Sequence, residues 1–334
     1  MINRFSSGSE RFEAAVEAVI DGDVETLEVL LHEDPTLATA RSPREHRATL
    51  LHYVAANGVE DERQRTPPTA VEIARLLVEA GADPNSTAEF YGGGPGSTAL
   101  VALVSSGHPY DAGLQEELVE VFCSAPEAMP DGLEGDGYPM ATAVTFFYPR
   151  AAAALAACGA GVDNIAHAAG IGRLDLVRSF LSEGVSAESS AAAGSAAAGS
   201  GGSGGSAGEQ DSPGESLTLR ADHGPYRGCY DFSLEEPKSI LELALAYAGL
   251  GGHLEVVEFL HERGVDLNAG PHSNETALHL AAFRNHMPVV RYLVENGADT
   301  TIRDGRWNSP PIGWAMAGDN LEVRDYLMEH GPVD

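Results

Sequence analysis

Lysine is almost missing from this chain. Lys238 is the only one, and arginine supplies the rest of the 20 basic side chains. Against 50 Asp and Glu they leave a formal net charge of −30. That balance argues against two classes of partner. A duplex binder needs basic stripes that displace phosphate counterions, and an anionic membrane surface attracts polybasic segments. Cysteine is nearly as scarce: Cys123, Cys158 and Cys229 are widely separated, with no Cys-x-x-Cys. An odd, sparse set reads as reduced intracellular thiols, not as a disulfide framework. Met1–Phe5 run into Ser, Gly and Glu without the apolar stretch of a signal peptide. No apolar run reaches the length of about 18 residues that a membrane-spanning helix needs. A cytoplasmic protein is the expectation. At 334 residues with 43% apolar side chains, the chain has material for two globular domains.

What the chain does have is repetition. Glu275-Thr276-Ala277-Leu278-His279-Leu280-Ala281-Ala282 precedes Met287-Pro288-Val289-Val290-Arg291-Tyr292-Leu293-Val294, which ends at Gly297-Ala298-Asp299. A related unit stands earlier, with Glu242-Leu243-Ala244-Leu245, Gly252-His253-Leu254-Glu255-Val256-Val257 and Gly264-Val265-Asp266. Gly264 and Gly297 are 33 residues apart, and Gly297 and Gly331 are 34 apart. Thr276 stands where a helix N-cap is wanted. Leu278, Ala281 and Ala282 recur at helical spacing, as do Val289, Val290, Leu293 and Val294 in the second half. Gly297 suits the left-handed turn that closes a helix. One such helix pair cannot bury its own apolar face, so copies must stack.

These motifs resemble the ankyrin repeat, and the likeness is densest over residues 238–331. Weaker copies begin at Thr49-Leu50-Leu51-His52, Thr98-Ala99-Leu100, Tyr138-Pro139-Met140 and Ile165, after a capping unit over Phe12–Leu37. The stretch Arg44–Gly58 with Gln64–Pro68 is similar to a group of bacterial ankyrin proteins. The expected fold is all-α: a solenoid of about eight helix-turn-helix repeats of about 33 residues with short hairpin loops. One long flexible insert interrupts it. Residues 1–186 form an N-terminal block, 187–237 an Ala/Gly/Ser-rich insert, and 238–334 a C-terminal block. The tract Ala191–Gly208 cannot bury apolar surface and reads as a linker. Continuous stacking of the two blocks is favoured, because the unit at Ile165–Gly184 otherwise exposes an apolar face.

Catalytic chemistry finds little support. The resemblance gives His52 and His279 a structural role in the repeat's Thr-x-x-His motif, and His108, His253 and His286 one at its Gly-His position. Asp222, His223, Arg227, Cys229 and Asp231 lie in an irregular segment without the rigid scaffold that a nucleophile requires. Gly249–Gly252 read as a turn between helices. No catalytic residue, cofactor or metal site is expected.

Two binding readings stand. The resemblance implies a protein partner held on the concave face and hairpin tips of a monomeric scaffold. Projected here, the exposed first-helix positions are Asn57, Ser105, Ser106, Leu250, Phe283 and Arg284, and one tip carries Arg303, Arg306, Trp307 and Asn308. Phe283 and Trp307 are the natural anchors, since aromatic side chains dominate binding energy. The alternative is a small phosphate- or carboxylate-bearing ligand at a basic island in this acidic chain. Arg41, Arg44, His46 and Arg47 are opposed locally only by Glu45, and Arg63 and Arg65 follow in an insertion near Val59–Thr69. The glycine-rich tip Tyr91–Gly94 lies at the next hairpin.

Overall fold

The computed structural model describes residues 8–56, 59–60, 63–89, 97–182 and 240–331. The insert, the Asp222–Asp231 cluster, Asn57 and the tip at 91–94 lie outside the described residues. Two compact units result. Residues up to Val162 build the first, and residues from Asp163 build the second.

In the first unit helices come as antiparallel pairs. The first helices are α1 (Gly8–Asp21), α3 (Leu50–Ala55), α5 (Ala99–Val104) and α8 (Tyr138–Thr145). Their partners are α2 (Val24–Glu33), α4 (Ala70–Glu79), α7 (Gln115–Cys123) and α9 (Pro149–Ala157). A short helix, α6 (Gly107–Asp111), stands between α5 and α7. First helices pack on first helices, and second helices on second helices, in two layers. Leu27, Leu51, Leu77, Phe122, Met140 and Leu155 fill the space between them. The only strands among the described residues are a two-residue ribbon, β1 (Thr87–Ala88) and β2 (Ser97–Thr98), paired antiparallel.

The second unit repeats the plan. α10 (Ile165–Gly170) is followed by helical residues 174–182, here α11. Then come α12 (Ile240–Gly251), α13 (Leu254–Glu262), α14 (Ala277–Phe283), α15 (Met287–Glu295), α16 (Pro311–Ala317) and α17 (Leu321–His330). α10, α12, α14 and α16 pack in sequence, with α13, α15 and α17 behind them. Small buried residues let the first helices approach closely. A methyl group on Gly249 would stand 2.8 Å from the Ala277 carbonyl oxygen. Gly249 and Gly251 therefore belong to α12 and to its packing, not to the turn that the sequence suggests. The architecture is an all-α repeat solenoid.

Hydrogen bonds between successive pairs explain the histidines. Thr276 Oγ accepts from the His279 N–H, and His279 Nδ1 accepts from the Thr276 N–H at 3.1 Å. Nε2 is then the protonated nitrogen, and it donates 3.1 Å forward to the Ser309 carbonyl. His52 does the same with Thr49 and Ser97. Burial holds His52 neutral, with a pKa lowered to about 3. A second set of bonds runs backward. The residue before four of the second helices reaches the end of the preceding first helix: Thr69 to Gly22, His253 to Gly170, His286 to Leu250 and Asn320 to Phe283. In the α5/α7 pair Ser106 makes this contact, to Ala56 at 3.0 Å. His108, expected there from its Gly-His spacing, is instead exposed on α6, because the extra turn displaces it.

Candidate functional site

Two regions of the fold collect the residues that the sequence singles out. The first is the hairpin tip between α15 and α16, with the end of α14 beside it. Asp304, 2% exposed, organises the tip. Its carboxylate accepts from the backbone N–H groups of Arg306, Trp307 and Ser309 and from Trp314 Nε1. Burial alone would raise its pKa, but these donors hold it below the usual carboxylate range. The tip is thereby fixed without regular secondary structure, and Trp307 projects from it, 61% exposed.

Trp314 joins the two predicted anchors. The ring of Trp307 meets it edge to face at 5.0 Å, and that of Phe283 at 5.9 Å from another side. His279 adds a third edge contact at 5.6 Å. Trp314 itself is buried in α16. Arg306 lies 5.2 Å from the Trp307 ring centre, and Arg284 lies 5.2 Å from that of Phe283. Each aromatic face thus carries a cation, a favourable arrangement at partly exposed sites. Arg303 crosses the tip, donating 2.8 Å to the Asn308 carbonyl.

Beneath the tip, Arg306 Nε lies 3.2 Å from Glu275 Oε1, an ion pair without hydrogen-bond alignment. Burial pushes Glu275 up to about 7 against the pull of Arg306, and Asp304 adds to the rise. Phe283 and Arg284 are half-buried. Ser105, Ser106 and Leu250 are buried, contrary to the projection from the repeat pattern. Ser105 and Ser106 turn their hydroxyls onto backbone carbonyls, and Leu250 lies in the α12 core.

The second region is the basic island. Arg44 grips Glu13 through both terminal nitrogens, at 2.9 and 3.1 Å, and reaches Glu60 at 2.7 Å. Arg63 lies 2.7 Å from both Glu60 and Glu17. His46 Nδ1 accepts from the Ala48 N–H, which leaves Nε2–H to donate to Glu60 at 3.3 Å. Tyr53 donates to the same carboxylate at 2.9 Å, and burial with this bond pushes its hydroxyl up to about 12. Glu60 is held below its ordinary pKa despite burial, because Arg63, Tyr53 and Arg44 stabilise its charge. Arg65 pairs with Asp21 and the Ile20 carbonyl. Arg41 donates to the carbonyls of Arg47 and Thr87. Arg47 is an exposed residue with φ 54°.

The structure thus unites Arg44, His46 and Arg63 around Glu60, with Arg65 on a separate acid and Arg41 on backbone. The local count of charges missed the acids from α1. The pocket beside Tyr53, Glu60 and Arg63 has room for about one water molecule. Sequence reasoning also missed Trp314 and Asp304. The Asp304-Gly305 pair, followed by donors two, three and five residues on from Asp304, was the available signal for an aspartate-centred turn.

No group of three or more His, Cys, Asp or Glu among the described residues could hold a metal ion. No described helix is long and apolar enough to cross a membrane. No curated protein matches the chain. Models of ankyrin repeats match it twice: a single repeat over residues 46–89, and a three-copy model over 229–304. The paired helices, the Thr-x-x-His caps and these matches agree: the chain carries ankyrin repeats.

Proposed function

We propose that this chain is a non-enzymatic, monomeric cytoplasmic scaffold that captures a protein partner on its concave face and hairpin tips. Trp307, Phe283, Arg306 and Arg284 are the contact residues proposed within the described part, and Asn57 a further one outside it. Ankyrin repeats in general serve protein–protein interaction, which supports the broad reading. One observation carries the finer one: Trp307 stays largely exposed although its backbone and ring are both held from beneath. An indole fixed in this way loses little conformational freedom on binding, which is what an interface anchor requires. The pairing of Arg44, Arg63 and Arg65 with acids favours this reading over an anion sensor.

Affinity capture from the native host, quantified by mass spectrometry, tests it. The wild-type chain, Trp307→Ala and Arg65→Ala would be compared at equal loading. Proteins held by the wild type and by Arg65→Ala are expected to fall about 30-fold or more with Trp307→Ala, the loss typical of a central aromatic anchor. An unchanged protein set would overturn the assignment of Trp307.

A further inference from the structure

Two of the three cysteines meet in the first unit. Cys123 is the last residue of α7, and Cys158 caps the C-terminus of α9. These second helices belong to consecutive pairs, run in the same direction and pack side by side. Their register is fixed independently at the other end, where Arg150 in the first turn of α9 pairs with Glu116 in the first turn of α7. Seven residues on from Glu116 is Cys123, and eight on from Arg150 is Cys158. In parallel helices rising 1.5 Å per residue, that offset leaves the two positions almost level. Both side chains are half-buried and both thiols are free.

We propose that Cys123 and Cys158 form a redox-modification site, oxidised to an intramolecular disulfide by a small-molecule disulfide of the glutathione class. The sequence spacing alone reads as isolated thiols; the repeat brings them into contact. Burial, and then the neighbouring Cys158 through its charge and a hydrogen bond, hold the Cys123 thiol protonated. Within the proposal Cys158 is the entering thiol and Cys123 the resolving one. Its thiolate attacks one sulfur of glutathione disulfide, and a glutathione thiolate leaves. Cys123 then gives up its proton and attacks the Cys158 sulfur of the mixed disulfide, releasing the second glutathione thiolate. Two protein thiols are oxidised to one disulfide, one glutathione disulfide is reduced to two thiols, and the cysteine protons pass to the departing thiolates. The bond would staple α7 to α9 and close the loop that contains α8.

The test uses the full chain carrying Cys229→Ser, so that two thiols remain, in glutathione buffers of increasing oxidising poise. Intact mass should show loss of two hydrogens per chain, and non-reducing peptide mapping should join the Cys123 and Cys158 peptides. Dithiothreitol should reverse both. The oxidised form should unfold about 5 °C or more higher than the reduced form, since the crosslink constrains the unfolded chain. Cys123→Ser and Cys158→Ser, each added singly, should abolish the hydrogen loss and the thermal shift. Thiols that stay free, stable glutathione adducts without the internal bond, or disulfide-linked dimers would each overturn the proposal.

Discussion

Gly252 lies against the ring of His286: a methyl group on its Cα would stand 2.5 Å from Nδ1 and 2.7 Å from Cγ. The same relation holds between Gly172 and His253, and between Gly22 and Thr69, each also at 2.5 Å. All three glycines have left-handed φ, +74° to +76°. The Gly-His spacing in the sequence therefore records a contact between neighbours: the glycine of one pair makes room for the capping side chain of the next.

Gly252→Ala should accordingly destabilise the second unit by about 2–3 kcal/mol. About 1–2 kcal/mol comes from a β-carbon in the left-handed region, and the rest from displacing His286, whose Nε2 donates 2.9 Å to the Leu250 carbonyl. Denaturant midpoints by circular dichroism measure this. Adding His286→Ala should cost less than the two single effects summed, because both act on one contact. Full additivity would show that the contact carries no energy.

Acid should unfold the chain in a window set by its buried histidines. His52 is lowered to about 3 and His167 to about 4, in both cases first by burial, and His253, His279 and His286 are lowered as well. Below a pH of about 6.5 the unfolded chain binds protons that the folded one refuses, so stability falls as pH falls. His52 and His167 each contribute a slope of about 1.4 kcal/mol per pH unit between about pH 6.5 and their folded values. Denaturation midpoints between pH 7 and pH 4 report the slope, and His52→Gln should reduce it. A flat profile would contradict neutral, buried imidazoles.

Glu275 has the opposite sign. Its folded pKa is raised to about 7, so it favours folding while protonated and opposes folding as pH rises through 7. Glu275→Gln should therefore raise the melting temperature at pH 8 by a few degrees and change little at pH 4. Thermal scans of the two proteins at both pH values are sufficient. Destabilisation at pH 8 would mean that the Arg306 pair outweighs burial.

The acids of the basic island predict a contrast. Glu60→Gln removes the carboxylate shared by Arg44, Arg63, His46 and Tyr53, and should cost about 2 kcal/mol, between exposed and fully buried pairs. Arg65→Ala breaks a largely exposed pair and should cost under about 0.5 kcal/mol. Chemical denaturation of both variants gives the comparison. If the island serves only as an open anion site, Glu60→Gln should be neutral or stabilising.

The repeats were legible because the features that define them are local. Thr276 three residues before His279, glycine before the second helix, and apolar residues at helical spacing are all visible in one stretch of chain. The capping unit and the unit at Ile165 were readable for the same reason. What failed depended on partners far apart in sequence. Of the acids facing Arg44 and Arg63, Glu13 and Glu17 come from α1, with Glu13 more than 30 residues upstream of Arg44, whereas Glu60 stands three residues before Arg63 and was open to a local reading. His108 was misplaced because α6 inserts a turn that preserves the Gly-His letters but moves them off the interface. Ser106 took over with a shorter side chain. The anchors Phe283 and Trp307 were visible one by one. The buried Trp314 that ties them together was not, since nothing local connects the loop, α14 and α16.

The backward bonds from Thr69, Ser106, His253, His286 and Asn320 all point the same way along the chain. They give each unit a polarity that its helices, packed in symmetric layers, do not have. Trimming helix pairs from the downstream end leaves bare carbonyls, which water can satisfy at little loss, except at the two cuts that remove Ser97 or Ser309 and so strand the forward donors His52 and His279. Trimming from the upstream end instead strands a side-chain donor that had organised the start of a helix. Shortened versions of this protein should thus tolerate loss from one direction better than from the other.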